Sequence, residues 1–374
     1  MFEHIKSYFA EYERLGIPGF DLSVFYKGKN VFREMRGVSD ENGAVPMCGK
    51  ERYNVYSCSK VITCTAAMML IEEGKLRLED EVALYLPAFG DIQVKQAGTL
   101  VKAEKRMTIF HLFTMTAGLN YDCSHEAIKR GKAETEGKAP TVEMMKYIAQ
   151  IPLEFEPGEN WCYSLCHDVL AAVVEVVAGK KFGTFVKERI LDPMGMRDTT
   201  FNLPDAELPT IMAQYLYNGV DFHNVGHRIQ GYKLGSEYES GGAGAISTVD
   251  DYIRFLEGLR TKKLLGDEAL SLMTRDHLRD DQRAACWVSG GYGYGLGVRT
   301  PRAGSLRTDF GWGGAAGAFL AIDPKNEISL YLGQHVLASP NKDLRKDIIE
   351  AVKLDLGYPA FKESMWSGNG SILA

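Results

Sequence analysis

A serine followed three residues later by a lysine occurs twice in the chain, at Ser57 to Lys60 and at Ser339 to Lys342. In the first turn of a helix that spacing puts hydroxyl and amine on one face, within reach of a hydrogen bond. A nucleophile and a group that manages its proton need that proximity. With so many serines and lysines, roughly one match is expected by chance, so context has to separate the two. Ser339 precedes Pro340 and a helical pattern running to Leu356, and its hydroxyl reads as an N-cap with proline at the first helical position. Ser57 precedes an apolar helical run, Cys58 through Glu73, where a cap is the plain alternative. As a nucleophile, Ser57 would also present its own backbone N–H, at the positive end of the helix, to the oxyanion formed when its side chain attacks a carbonyl.

Other candidate constellations carry less. His223 and His227 stand four apart, as metal ligands on one helix face do, but Val225 and Gly226 between them and the lack of an adjacent Glu make loop histidines the better reading. Cys162, Cys166 and His167 approach a haem-attachment pattern, yet three residues separate the cysteines where two are required, so they read as buried thiols. Gly291, Gly293, Gly295 and Gly297 alternate at period two, which fits a strand closely approached by other backbone and not a dinucleotide fingerprint. No Gly-x-Ser-x-Gly elbow occurs, which removes the α/β-hydrolase route. No metal and no cofactor is therefore expected.

Composition narrows the class. With 374 residues, 45% hydrophobic and 25% charged, the chain can bury a sizeable core. A net charge of −6 with no long basic stretch argues against nucleic acid. The opening MFEHIKSYFAEYERLG spaces Phe2, Ile5, Phe9 and Tyr12 as an amphipathic helix and lacks the apolar core of a secretory signal. The longest apolar run, Val169 to Ala178, is interrupted by Glu175 and too short for a bilayer, so no membrane association is expected. Seven cysteines without a regular framework point to free thiols in a cytoplasmic protein.

These side chains need elements to hold them. Residues 20–38 read as a hairpin around Lys27-Gly28-Lys29-Asn30. From Ser57 to about Gly258 the periodicity is mainly helical, interrupted between Asn120 and Thr141 by a polar, Gly- and Ala-rich segment expected to be an exposed excursion. Strands return at Tyr294–Val298, Ala318–Ile322 and Ile328–Gln334, the last two joined by a turn at 323–326, before a closing helix Pro340–Leu356. The pattern predicts an α/β (α+β) fold in which both termini build one sheet, residues 1–55 plus 286–374, around an inserted helical lobe, 56–285, with the site in the cleft between them.

Ser57-Cys58-Ser59-Lys60 and the following VITCTAAMMLIEEGKLRLEDEVALYLP resemble the first motif of the serine β-lactamase and penicillin-binding-protein family. MTIFHLFTMTAGL (107–119), FEPGENWCYS (155–164), VVAGKKFGTFVKERILDPMGMRDTTF (176–201), GGAGAISTVDDYIRFLEGL (241–259) and YGYGLGV (292–298) continue the resemblance in order. It implies a β-lactamase/transpeptidase-like fold, an antiparallel sheet flanked by helices with a large mainly helical lobe inserted. It also implies an acyl-enzyme on Ser57. At the second motif, Tyr163-Ser164-Leu165, the tyrosine is kept and the family's asparagine is Leu165; the resemblance makes Tyr163 the general base and Lys60 its electrostatic partner, the two titrating as a pair with the resting proton on either. At the third motif, usually Lys-Thr-Gly or His-x-Gly, stand Trp312, Gly313, Gly314 and Ala315, and the Ala315 N–H is expected to complete an oxyanion hole with that of Ser57.

Both departures bear on substrate. Trp312 offers no charge to a substrate carboxylate, and Leu165 no amide to a substrate amide. With Trp312, Gly313, Gly314 and Leu165 as the expected substrate-binding residues, the site suits a small neutral ester or lactam. The combination is similar to the family VIII carboxylesterases. A short-chain carboxylesterase is the leading expectation, with a β-lactamase, D-alanyl peptidase or D-amino-acid amidase, an acyltransferase, and a non-catalytic acyl-trapping sensor as alternatives.

Overall fold

The protein is described by a computed structural model covering residues 2–226, 232–342 and 344–361. Helix α1 (Glu3–Arg14) buries Ile5, Tyr8, Phe9 and Tyr12, the stripe that its spacing predicts. Strands β1 (Gly19–Tyr26) and β2 (Lys29–Gly37) follow, joined through Lys27 and Gly28, both at positive φ, the geometry of a two-residue hairpin turn. The helical middle contains α2 (Ser59–Glu72), α3 (Cys166–Ala178) and α4 (Val249–Arg260). The chain then returns to strands β3 (Tyr292–Tyr294), β4 (Arg299–Pro301), β5 (Phe310–Gly313), β6 (Gly317–Asp323) and β7 (Ile328–Leu337), and closes in α5 (Ile348–Asp355).

These strands form one antiparallel sheet in the order β2-β1-β7-β6-β5-β4-β3. The first strand pairs with the last, Phe20 opposite Gln334 through Tyr26 opposite Ile328, so the two ends of the chain share the sheet. Gln214–Tyr217, from the span expected to be helical, adds alongside the far end of β7 and pairs in turn with Phe222–Gly226.

Side-chain alternation decides what each face covers. Phe20, Leu22 and Val24 of β1, Phe319 and Ala321 of β6, and Ile328, Leu330 and Leu332 of β7 pack under α1 and α5. Leu320, Ile322 and Tyr331 point the other way, toward α4 and the helical lobe, where Tyr331 stacks on Tyr252 with ring centroids 4.2 Å apart. Within the lobe α2 is buried from Ser59 to Leu70, as an apolar helix without a polar face must be. Its Thr65 hydroxyl bonds back to the Val61 carbonyl at 2.7 Å, and Thr63 reaches the Gly241 carbonyl at 2.8 Å. Among the described residues no helix is long and apolar enough to cross a membrane.

Three local expectations differ from the structure. Within 120–141, Glu126–Glu134 is a helix that buries Ala127, Ile128 and Gly131, small residues whose apolar stripe is faint in sequence. Strand β3 ends at Tyr294 and the chain reverses through Gly295–Val298, Gly295 N–H donating to the Val298 carbonyl at 2.8 Å; a Cβ on Gly297 would overlap the Cys64 sulfur. The closing helix starts at Ile348 and not at Pro340. Ser339 is no cap: its buried hydroxyl donates to Asn341 Oδ1 at 2.5 Å and accepts from Gln334 Nε2 at 2.7 Å, holding the chain in a polar turn against β7.

A buried charge cluster ties α5 to the strands. Arg299 meets Asp309 at 2.8 Å, Arg307 meets Glu350 at 2.8 Å, and Lys353 lies 3.2 Å from Asp323, with every side chain 8% exposed or less. Breaking one partner of such a set strands a charge in the interior. Asp309→Ala is expected to cost about 3–5 kcal/mol in a denaturant titration, whereas breaking the exposed Lys146–Glu143 pair should cost under about 1 kcal/mol. Equal losses would show that the cluster is not a clamp.

Candidate active site

Ser57 lies in a single 3-10 turn, Tyr56–Cys58, that runs directly into α2. Tyr56 has a φ of 48°, in the left-handed region that costs a non-glycine residue about 1–3 kcal/mol. A 2.7 Å bond from its hydroxyl to Gln214 Oε1 helps to hold it there. The Ser57 hydroxyl does not cap the helix. It accepts from the Tyr163 hydroxyl at 2.5 Å and from Lys60 Nζ at 3.4 Å.

Lys60, one turn after Ser57 and at the start of α2, has no solvent exposure. Its Nζ donates to the Gly242 carbonyl at 2.6 Å and to the Tyr121 hydroxyl at 3.2 Å as well as to Ser57. Three acceptors match the three protons of an ammonium. The rings of Tyr163 and Tyr121 lie 4.6 and 5.4 Å from the same nitrogen, which adds cation–π attraction.

Backbone bonds on both sides fix Tyr163. The N–H groups of Gly158, Cys162 and Leu165 donate to the carbonyls of Thr116, Met115 and Asn120, at 2.8, 2.9 and 3.2 Å. This lays the segment before α3 along the loop that carries Tyr121. The two tyrosines stack with centroids 5.6 Å apart but differ in environment. Burial, reinforced by the Asp168 charge, pushes the Tyr121 phenol well above its ordinary value, so Tyr121 remains a neutral hydroxyl.

The glycine-rich end of β5 comes in from the sheet. A Cβ on Gly314 would overlap the Val55 carbonyl oxygen, two residues before Ser57, so only glycine permits this approach. The chain turns at Ala315, which is exposed. Trp312 is buried edge-on against Tyr294, 5.3 Å between centroids, and lies nearly parallel to Tyr163 at 6.2 Å. Leu165, expected to bind substrate, is instead 1% exposed and packs in the core below the site. It begins α3, and that position turns its side chain inward.

Several residues here gave no local signal in the sequence. A chain of ring contacts runs past Ser57: Tyr56 to Tyr232 at 6.3 Å, Tyr232 to Tyr121 at 5.1 Å, Tyr121 to Tyr163 at 5.6 Å and Tyr163 to Trp287 at 4.5 Å. Trp287 is 66% exposed. The remaining constellations stay apart from this chemistry. His223 lies on a strand and contacts Asn218 at 2.6 Å, while His227 falls outside the described residues. Cys162 and Cys166 are free thiols, and burial pushes His167 down to about 3, a neutral core side chain. Among the described residues no three His, Cys, Asp or Glu side chains group so as to hold a metal ion.

The β-lactamase family profile matches residues 5–349, which spans the sheet, the lobe and every residue of the site described above. The chain belongs to the β-lactamase family. It is a hydrolase of the β-lactamase fold. Protein Rv1367c of Mycobacterium tuberculosis is 32% identical over 330 residues, 80% of this chain and 81% of that protein. Esterase EstB of Burkholderia gladioli is 28% identical over 339 residues, 82% of each. Among solved structures, EstCE1, described as a hydrolase with promiscuous acyltransferase activity, superposes with a TM-score of 0.77 and 26% identity, covering 94% of this chain and 97% of that one.

In this member of the β-lactamase family the approach of β5 to the Ser57 turn depends on the missing side chain of Gly314. Gly314→Ala should leave the circular dichroism spectrum unchanged and lower kcat/KM for a nitrophenyl ester about 100-fold, the effect of a roughly 1 Å misplacement. A loss under about twofold would show that the approach is not needed for turnover.

Proposed function

We propose that the protein is a carboxylesterase, closest in kind to the family VIII enzymes, that acts on small neutral esters through an acyl-enzyme on Ser57. The reading is carried by the 2.5 Å contact between the Ser57 and Tyr163 hydroxyls beside a buried Lys60. Tyr163, as the general base beside Lys60, takes the Ser57 proton while Oγ bonds to the ester carbonyl carbon. The N–H groups of Ser57 and Ala315 donate to the resulting oxyanion. Collapse breaks the bond to the alcohol, which leaves with the proton that Tyr163 accepted. Water then attacks the acyl-enzyme, passes its proton through Tyr163 to Ser57 Oγ, and releases the carboxylic acid.

The ester preference is supported by what surrounds these groups. Trp312 stands where relatives place a cation, Leu165 offers no amide, and the flanking rings suit a neutral, apolar substrate. The similarity to Esterase EstB points the same way. Acyl transfer to an alcohol is the second reading, favoured by the similarity to EstCE1.

Ser57→Ala should abolish turnover of a short-chain nitrophenyl ester in a folded protein, and Tyr163→Phe should slow the acylation burst by about 10²–10⁴-fold. Wild-type protein should turn over that ester far faster than a chromogenic cephalosporin, and faster cephalosporin turnover would overturn the esterase reading. Added alcohol that raises ester product at the expense of acid would make transfer the better description. Removing the exposed ring with Trp287→Ala should raise KM for apolar esters about tenfold with kcat within about twofold; an unchanged KM would exclude Trp287 from binding.

A further inference from the structure

We infer that Asp168 is a positioning residue for this site, the buried counter-charge that keeps Lys60 in place beneath the nucleophile. The inference rests on the assignment of Ser57, Lys60 and Tyr163 above. Asp168 lies in the first turn of α3 with no solvent exposure, on a helix whose other fully buried residues are Cys166, His167 and a run of Val, Leu and Ala. A carboxylate in such a place requires partners. Its Oδ1 accepts from the Ser240 hydroxyl at 2.6 Å and from the Tyr238 hydroxyl at 3.2 Å.

Those two donors belong to the segment that meets α2. Two residues after Ser240, the Gly242 carbonyl accepts Lys60 Nζ at 2.6 Å, and the Gly241 carbonyl accepts the Thr63 hydroxyl at 2.8 Å. Ser240 also receives the Ala243 N–H at 3.0 Å, so its hydroxyl links the carboxylate to the turn. A Cβ on Gly242 would overlap Asp168 Oδ2 and come within 2.9 Å of the Tyr121 hydroxyl. The carboxylate, the Gly242 backbone and Tyr121 therefore crowd around one ammonium.

The groups that face Asp168 come from several elements. Lys60 on α2 is the cation whose field acts on it; Tyr238 and the Gly242 N–H on the 238–242 segment donate to it, and Tyr121 and Cys123 on the adjoining loop are neutral groups that feel its charge. Burial raises the Asp168 carboxyl, and Lys60 together with the two hydroxyls opposes that rise. Two separate tasks follow. The hydroxyl bonds set the carbonyl that holds Lys60, and the negative charge offsets a cation that has no water around it.

Asp168→Asn keeps an acceptor for Ser240 and Tyr238 and removes the charge. Its alkaline limb of kcat/KM against pH should move down by about one unit, because the buried negative charge that opposes proton loss from this pocket is gone, with KM within about twofold. Ser240→Ala, which keeps the charge, should leave that limb where it is. A readout independent of esterase activity is thermal stability in the Lys60→Met background: the Lys60→Met/Asp168→Asn protein should melt above either single variant. Additive melting shifts with an unmoved limb would overturn the counter-charge role. Full activity in Ser57→Ala would instead remove the assignment on which the inference rests and leave the melting result intact.

Discussion

A lysine sealed from water is the constraint around which this protein is organised. An ammonium transferred from water into a protein interior is tolerable only where acceptors replace its hydration. Lys60 finds a hydroxyl from the 3-10 turn just before its helix, a carbonyl from Gly242 and a phenol from Tyr121, three pieces of chain with no local relation to one another. Helix α2 has to be buried for Lys60 to be buried, and its near-complete apolarity serves that end. The same burial makes the cation effective, since its field on the Tyr163–Ser57 contact is not screened by solvent.

The backbone around the site is specialised for close approach. Tyr56 occupies a left-handed conformation just ahead of the nucleophile, and Gly314 lets β5 come against Val55 where any side chain would collide. Neither feature would persist on a loose scaffold. The sheet supplies the rigidity: its first and last strands are paired along their length, and the buried charges of Arg299, Arg307 and Lys353 fasten α5 to β4, β6 and the Asp309 end of β5 on the far side. Strain near the hydroxyl is thus carried by contacts a full layer away.

The groups around Ser57 decide what can approach its hydroxyl. Members of a fold family share a reaction centre more readily than a substrate, because specificity depends on groups that never touch the bond being broken. Here those groups are rings. Tyr232, Tyr121, Tyr163 and Trp287 present flat, largely apolar surface next to Ser57, and Trp312 is packed away behind Tyr163. Such walls supply flat apolar contact area and no charge of their own.

Patterns with a short repeat were legible before any fold was known. The stripe of α1, the hairpin turn at Lys27-Gly28, the period-two strands β6 and β7, and the three-residue step from Ser57 to Lys60 all follow from local geometry that the backbone imposes. The order of motifs along the chain carried the family, and with it Tyr163. Tertiary structure alone decided that Tyr163 lies 2.5 Å from a serine 106 residues away, that Gly242 reaches across 182 residues to Lys60, that Leu165 turns inward, and that Trp287 covers Tyr163. The late start of the closing helix and the reversal at Gly295–Val298 share one reason: buried polar bonds at Ser339 and steric contact at Gly297 override local preference. Local sequence sets which faces are apolar, but which distant side chains share a cavity depends on how those faces pack.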